Sequence, residues 1–287
     1  MARERLTRGR RLSVRVAALL GLLLFGFFFS IVAAEALGVI QSEPEGDPDD
    51  PPASAEAVLG ASRPGEAVHV VGALGVLVLG GTALVGLFLR PERSGSAYQV
   101  LATMSGILLT APIVGNPDNR GGQAGWIDPL FLIVVTPAVV AAALARPWRH
   151  WRLRRVRGSQ FLVLGAVAAV PLGWYGLNQA LMQRNTYPPT ADPHHNAHWW
   201  AMSCLAFIVV LVVAAAALPS DGWRLGPRVA GLAAIALGIA SLVASSSASA
   251  IWLGWALIAI LWGLTGVWLT LRDEQHNSST ERDHLAS

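Results

Sequence analysis

The chain has 287 residues, of which 53% are apolar and only 14% charged, with a formal net charge of +3 and a mean hydropathy of +0.49. A soluble domain of this length needs far less apolar surface to build one core, so the composition excludes an ordinary soluble protein. All basic residues are arginines, and they cluster beside apolar stretches. That placement indicates a membrane topology signal and gives no reason to expect nucleic-acid binding.

The apolar residues form stretches of the length that a membrane helix requires. A hydrocarbon core of about 30 Å is crossed by a helix of about 20 residues. Eight stretches meet or approach this length: 16–38, 67–89, 98–114, 129–145, 160–182, 194–218, 228–247 and 250–271. The third is short and the last two are joined by a few small residues, so seven helices is the alternative. We predict an all-α integral membrane protein with eight transmembrane helices.

The arginines predict the orientation of these helices. Six arginines precede the first stretch, and the groups at 90–93, 146–157 and 224–228 fall on the same side when eight helices are counted. Only Arg63, Arg120 and Arg184 fall on the opposite side. Because cytoplasmic loops carry the excess of arginine, both ends of the chain are expected in the cytoplasm of a multi-pass plasma-membrane protein.

The two halves of the chain share a layout. Residues 1–147 are expected to form a first four-helix membrane half, with an acidic outer loop at 42–58, and residues 158–272 a second. An even number of helices gives both halves the same direction, so they would form two tandem four-helix bundles related by an axis along the membrane normal. The polar segment 273–287 is expected to be a disordered cytoplasmic tail.

Histidines gather at the predicted outer side. His69 opens the second helix, and His194 and His198 lie four residues apart where the sixth begins. Two imidazoles at that spacing share one face of a helix and can bind one metal ion. The alternative is that they are interfacial side chains beside Trp199 and Trp200, as expected in an aromatic belt.

A carboxylate and two arginines complete this predicted site. Glu66 precedes His69 by three residues and can orient its imidazole or favour the positive end of the helix. Arg120 and Arg184 on the outer side can hold an anion such as a heme propionate, although outer arginines more often pair with loop acids.

The arrangement of eight helices in two halves, with Glu66 to His69 opening the second helix and His198 the sixth, resembles the heme A synthase family. The resemblance implies heme as cofactor, His69 and His198 as ligands and Glu66 as a catalytic group. The chain departs from the family at the fourth and eighth helices, where it offers Asp128-Pro129-Leu130 and Ile251-Trp252-Leu253 in place of histidine.

Three functions therefore stay open. The first is a heme- or metal-dependent redox protein with the heme A synthase layout. The second is an intramembrane zinc hydrolase, in which His69, His194 and His198 bind the metal and a carboxylate such as Glu66 acts as general base. The third is a non-catalytic membrane subunit or carrier. The partners expected are the lipid bilayer and a heme, a transition metal or a lipid-like ligand.

The topology can be tested with reporter fusions. Fusions after Arg157 and after Arg228 should read as cytoplasmic, and fusions near Asp50 and Pro188 as external, because the arginine-rich loops stay inside. An external signal at Arg157 would contradict the eight-helix arrangement.

Overall fold

A computed structural model describes residues 6–36, 64–114, 129–145, 159–185 and 198–286, apart from residues 219, 221 and 248. All regular structure in these ranges is helical, as predicted. The eight helices are α1 (Arg8–Ala36), α2 (Pro64–Leu89), α3 (Ser94–Val114), α4 (Pro129–Ala145), α5 (Ser159–Asn185), α6 (His198–Ala215), α7 (Leu225–Val243) and α8 (Leu253–Ala286). The last two are separate helices. An arrangement of eight transmembrane helices, with seven as the alternative, stays a prediction.

Six helices of the described chain, namely α1, α2, α3, α5, α7 and α8, are long and apolar enough to cross a membrane. The third, which the sequence analysis expected to be short, begins four residues earlier and has 21 residues. The shorter helices are α4, with 17 residues, and α6, with 18. A helix of that size is about 26 Å long, which is near the lower limit for crossing a hydrocarbon core.

The first four helices contact one another in a ring, with α1 and α3 each packed against α2 and α4. In the second half, α5 packs mainly on α6 and α7 mainly on α8, and the two pairs have fewer contacts with each other. The halves meet where α6 packs against α2 and α3 and where α7 packs against α2. The predicted repeat symmetry of the two halves stays a prediction.

Consecutive helices run in opposite directions. We call the end of the molecule that carries the first residues of α2, α4, α6 and α8 the outer end, following the predicted topology, and the opposite end the inner end.

Helix α6 is the most enclosed helix, and glycines on its neighbours let it approach closely. A methyl group placed on Gly106 of α3 would lie 2.6 Å from the Ile208 side chain and 3.0 Å from the Ile208 backbone nitrogen. Glycines of α2 face α6 in the same way, with Gly72 against Met202 and Gly75 against Leu205. Small residues at such contacts are what lets helices in lipid gain packing energy.

The glycine contacts also define the register of α2 and α6. Because Gly72 faces Met202 and Gly75 faces Leu205, the two helices run in the same direction and keep the same register at both contacts. This register pairs each residue of α2 with the residue of α6 numbered 130 higher, so the backbone of His69 lies level with that of Trp199, one residue from His198.

At the inner end, two arginines, one just before α7 and one in its first turn, form ion pairs with acids of α8. Arg224 Nη2 lies 2.8 Å from Asp273 Oδ2, and Arg228 Nη2 lies 2.5 Å from Glu274 Oε2. The backbone of α8 continues as helix through Ala286. This differs from the disordered tail expected from residue 273 onward, because the first polar turn is anchored by these pairs and extends a helix that is already formed.

The tight contact of α3 with α6 can be tested by substitution. Gly106→Leu should lower the free energy of unfolding in detergent by about 2 kcal/mol, since the added side chain meets the backbone of α6 and a rotamer change cannot relieve the overlap. Gly81→Leu is the matched control because nothing lies within 4 Å of a methyl group at that position. Equal stability of the two variants would contradict the packing described.

Candidate functional site

Buried and half-buried polar side chains from five parts of the chain gather in the outer half of the molecule. We call them the outer polar layer. Its members are His69 of α2, Thr110 of α3, Tyr175, Gln179 and Gln183 of α5, Trp200, Ser203 and Cys204 of α6, and Ser249 of the α7–α8 turn. Polar groups surrounded by apolar helices need hydrogen-bond partners, and most of these partners lie on a neighbouring helix.

The α7–α8 turn is held to both halves of the molecule through Ser249. The Ser249 hydroxyl lies 2.8 Å from His69 Nε2, and the Ser249 carbonyl accepts a hydrogen bond of 2.7 Å from the Tyr175 hydroxyl. Ser249 itself is fully buried. Three segments distant in sequence, namely α2, α5 and the turn, are thereby joined at one point.

Thr110 is the centre of a second group. Its hydroxyl donates to the Ile107 carbonyl at 2.8 Å and accepts from the Trp200 indole at 2.8 Å. The Cys204 thiol lies 3.2 Å from the same oxygen. Cys204 is buried and forms no disulfide, so it packs as a small side chain.

One face of α5 carries polar side chains at intervals of four residues, Tyr175, Gln179 and Gln183. Gln183 accepts a hydrogen bond of 3.2 Å from the Trp200 backbone N–H, one of the first-turn donors of α6 that have no partner within their own helix. Gln179 Oε1 is buried without a hydrogen-bond partner. The sequence analysis missed this face, although its i, i+4, i+8 spacing in an apolar helix was the signal that identifies it.

Beside this layer, a cleft of about 600 Å³ separates the α5–α6 pair from the α7–α8 pair. Its floor consists of buried residues of α6 and α7, among them Leu205, Val209, Ala234 and Leu237. Its walls are formed by α5 and α8. Trp174 on α5 is 73% exposed and Trp252 before α8 is 75% exposed. The mouth of the cleft therefore opens on the side of the molecule, between α5 and α8.

Two hydrogen bonds join α5 to α8 and to the α7–α8 turn beside the cleft. The Tyr175 hydroxyl bonds the Ser249 carbonyl toward the outer end, and the Trp262 indole donates to the Leu164 carbonyl at 2.9 Å toward the inner end. Leu164 and Tyr175 are three turns apart on α5, a distance of about 16 Å at 1.5 Å per residue.

The cleft lining is almost entirely apolar. Five aromatic side chains contribute to it: Trp174, Tyr175, Trp252, Trp255 and Trp262. Polar groups enter at the outer end, from Tyr175 and Asn178. Such a site suits an apolar chain with its polar end directed outward.

The residues that the sequence analysis singled out are only partly visible in the structure. The side chain of His69 belongs to the outer polar layer, and Arg184 lies half-buried in the last turn of α5 beside Gln183. Glu66 and His198 lie in the first turns of α2 and α6, but their side chains are outside the described residues. His194 and Arg120 lie outside the described residues altogether.

A heme or metal ion would have to be held by side chains near His69 or by the lining of the cleft. Among the described residues, no group of three His, Cys, Asp or Glu side chains is arranged to hold a metal ion. The described residues that line the cleft include no His, Cys or Met, and Tyr175, whose residue type can ligate heme iron, donates its hydroxyl to the Ser249 carbonyl instead. The shared site expected of His69, His194 and His198 stays a prediction.

Comparison with models of protein families, with curated proteins and with solved structures found no match. The likeness to heme A synthase therefore rests on the sequence layout alone.

Proposed function

We propose that this chain is a multi-pass membrane protein that takes an amphipathic, lipid-like molecule from the bilayer into the cleft between its α5–α6 and α7–α8 pairs. The observation that carries this proposal is the cleft itself, an apolar cavity of about 600 Å³ that opens on the apolar side of the molecule, between α5 and α8. Its volume lies within the range of about 300–1,000 Å³ typical of small-molecule sites.

The outer end of the cleft supports a ligand whose polar group is directed toward the outer leaflet. The lining residues of α5 run from Val167 to Asn178, about 16 Å at 1.5 Å per residue, which is close to half of a hydrocarbon core of about 30 Å. Tyr175, Asn178 and the indole of Trp252 lie at its outer end. Tryptophan and tyrosine favour the boundary between hydrocarbon and headgroups, so this end is suited to a ligand's polar group.

The proposal can be tested by filling the cleft. Ala259 of α8 lines it, and Ala259→Phe narrows it without adding charge. In nanodiscs that contain a phosphatidylcholine with a diazirine on its acyl chain, the unmodified protein should cross-link at the floor residues Ala234 and Leu237. Ala259→Phe should reduce that cross-linking about tenfold, because overpacking a well-fitted site costs about 1–3 kcal/mol.

The matched control is Ala166→Phe, on an exposed position of α5 that does not line the cleft. It should leave cross-linking at the floor unchanged. Absence of floor cross-links in the unmodified protein, or equal cross-linking in Ala259→Phe, would rule out occupation of the cleft by a lipid chain.

A heme-dependent redox function is the second proposal, and the register of α2 and α6 favours it. The backbones of His69 and His198 lie within one residue of the same level, which would allow both histidines to serve one cofactor at the outer end. Glu66 would then adjoin His69, and Arg120 and Arg184 would be available for propionates. The hydrogen bond between His69 Nε2 and Ser249 must be given up if that nitrogen is to become a ligand.

An absorption spectrum with metal analysis separates these functions. Purified protein with a Soret band that is lost in His69→Ala and in His198→Ala, but kept in His195→Ala, would support the heme proposal. Colourless protein containing stoichiometric zinc would support the hydrolase alternative instead. Colourless, metal-free protein would contradict both and leave the lipid-like ligand.

A further inference from the structure

Three arginines at the inner end of α1 line a cavity of about 600 Å³ together with Leu6 and Leu12. They are Arg8, Arg11 and Arg15, and their spacing of three and four residues places them on one face of the helix. Among the described residues that line this cavity, none is acidic. Arg224 and Arg228 at the start of α7, by contrast, are paired with Asp273 and Glu274.

Two of the arginines are held in place by backbone carbonyls. Arg11 Nε donates to the Leu6 carbonyl at 3.0 Å, and Arg15 Nε donates to the Phe88 carbonyl of α2 at 3.2 Å. Within the described residues, the terminal nitrogens of both guanidinium groups have no partner. A guanidinium fixed through Nε presents its other donors in a planar fork that matches phosphate oxygens.

An apolar surface continues from this cavity along α1. Leu12 lines the cavity and is exposed, and Val16, Leu19 and Leu23 follow it on the same face, each also exposed. The positive cavity is complementary to the phosphate in the headgroup of an inner-leaflet phospholipid. The apolar ridge of Leu12, Val16, Leu19 and Leu23 that follows it is complementary to the acyl chains.

We propose that Arg8, Arg11 and Arg15 bind the phosphate of an anionic phospholipid from the inner leaflet, with its acyl chains lying along Leu12, Val16 and Leu23. The site lies on α1 at the inner end, apart from the cleft, and does not depend on the function proposed there. The apolar ridge distinguishes it from a site for free phosphate, because a free anion gains nothing from Leu12 and Val16. The inner leaflet is also where anionic lipids attract basic segments.

Native mass spectrometry of the detergent-purified full chain tests this site. The unmodified protein should bind dioleoyl phosphatidylglycerol more tightly than dioleoyl phosphatidylcholine. The double variant Arg11→Gln/Arg15→Gln should bind phosphatidylglycerol about 25-fold more weakly, since each basic residue near an anionic lipid contributes roughly a factor of five. Arg11→Lys/Arg15→Lys should keep several-fold preference, because lysine retains the charge and loses the fork.

A second double variant controls for net charge. Arg90→Gln/Arg272→Gln removes the same charge from exposed positions at the inner end and should leave phosphatidylglycerol binding unchanged. The proposal is overturned by equal binding of the two lipids to the unmodified protein, or by an equal loss in both glutamine double variants. It is also overturned if millimolar inorganic phosphate displaces phosphatidylglycerol completely, which would assign the arginines to a free anion. Should the Arg11→Gln/Arg15→Gln protein fail to fold, the lysine variant decides, since a loss of all lipid preference there contradicts a site based on charge.

Discussion

The burial of α6 among α2, α3, α5 and α7 is the constraint on which the other features of the molecule depend. In a bilayer, an apolar side chain gains little by exchanging lipid for another helix, so close contact of helix surfaces must supply the stability. Gly72, Gly75 and Gly106 provide that contact by removing side chains from the surfaces that face α6. The same enclosure leaves the first turn of α6 surrounded by other helices, where its N–H groups need acceptors. Gln183 supplies one such acceptor from α5.

The outer polar layer therefore has a structural origin and a functional consequence. Thr110, Trp200 and Cys204 satisfy one another where α3 meets α6, and His69, Ser249 and Tyr175 tie the α7–α8 turn to the rest of the molecule. The Tyr175–Ser249 bond also joins α5 to the α7–α8 turn beside the cleft. A substitution in this layer would thus affect both the packing of the halves and the shape of the proposed ligand site.

The sequence predicted well what depends on local composition. The apolar stretches became helices, with α4 at the predicted residues 129–145, because a long apolar run determines a helix wherever it packs. The cleft could not be predicted, since it results from how far α5 and α8 diverge and no single helix encodes that distance. Ser249 shows the same limit: one serine among several in a small-residue turn is indistinguishable by sequence, and only the turn geometry brings it to His69. The helix beyond residue 272 depends likewise on Arg224 and Arg228, which are distant in sequence.

The length of the cleft bears on how it would discriminate among ligands. A hydrocarbon chain that leaves the bilayer for the cleft exchanges one apolar surrounding for another, so the transfer itself contributes almost no free energy and selects nothing. Discrimination among such chains must therefore come from how poorly a chain of the wrong length fits the cleft. The lining extends about 16 Å along α5, with the Trp262–Leu164 bond toward the inner end, so the cleft would best accommodate a chain of about that length. A longer chain must coil, leave through the mouth, or break the bond to Leu164 and expose a buried indole N–H, and each of these costs free energy that a chain of matching length does not incur.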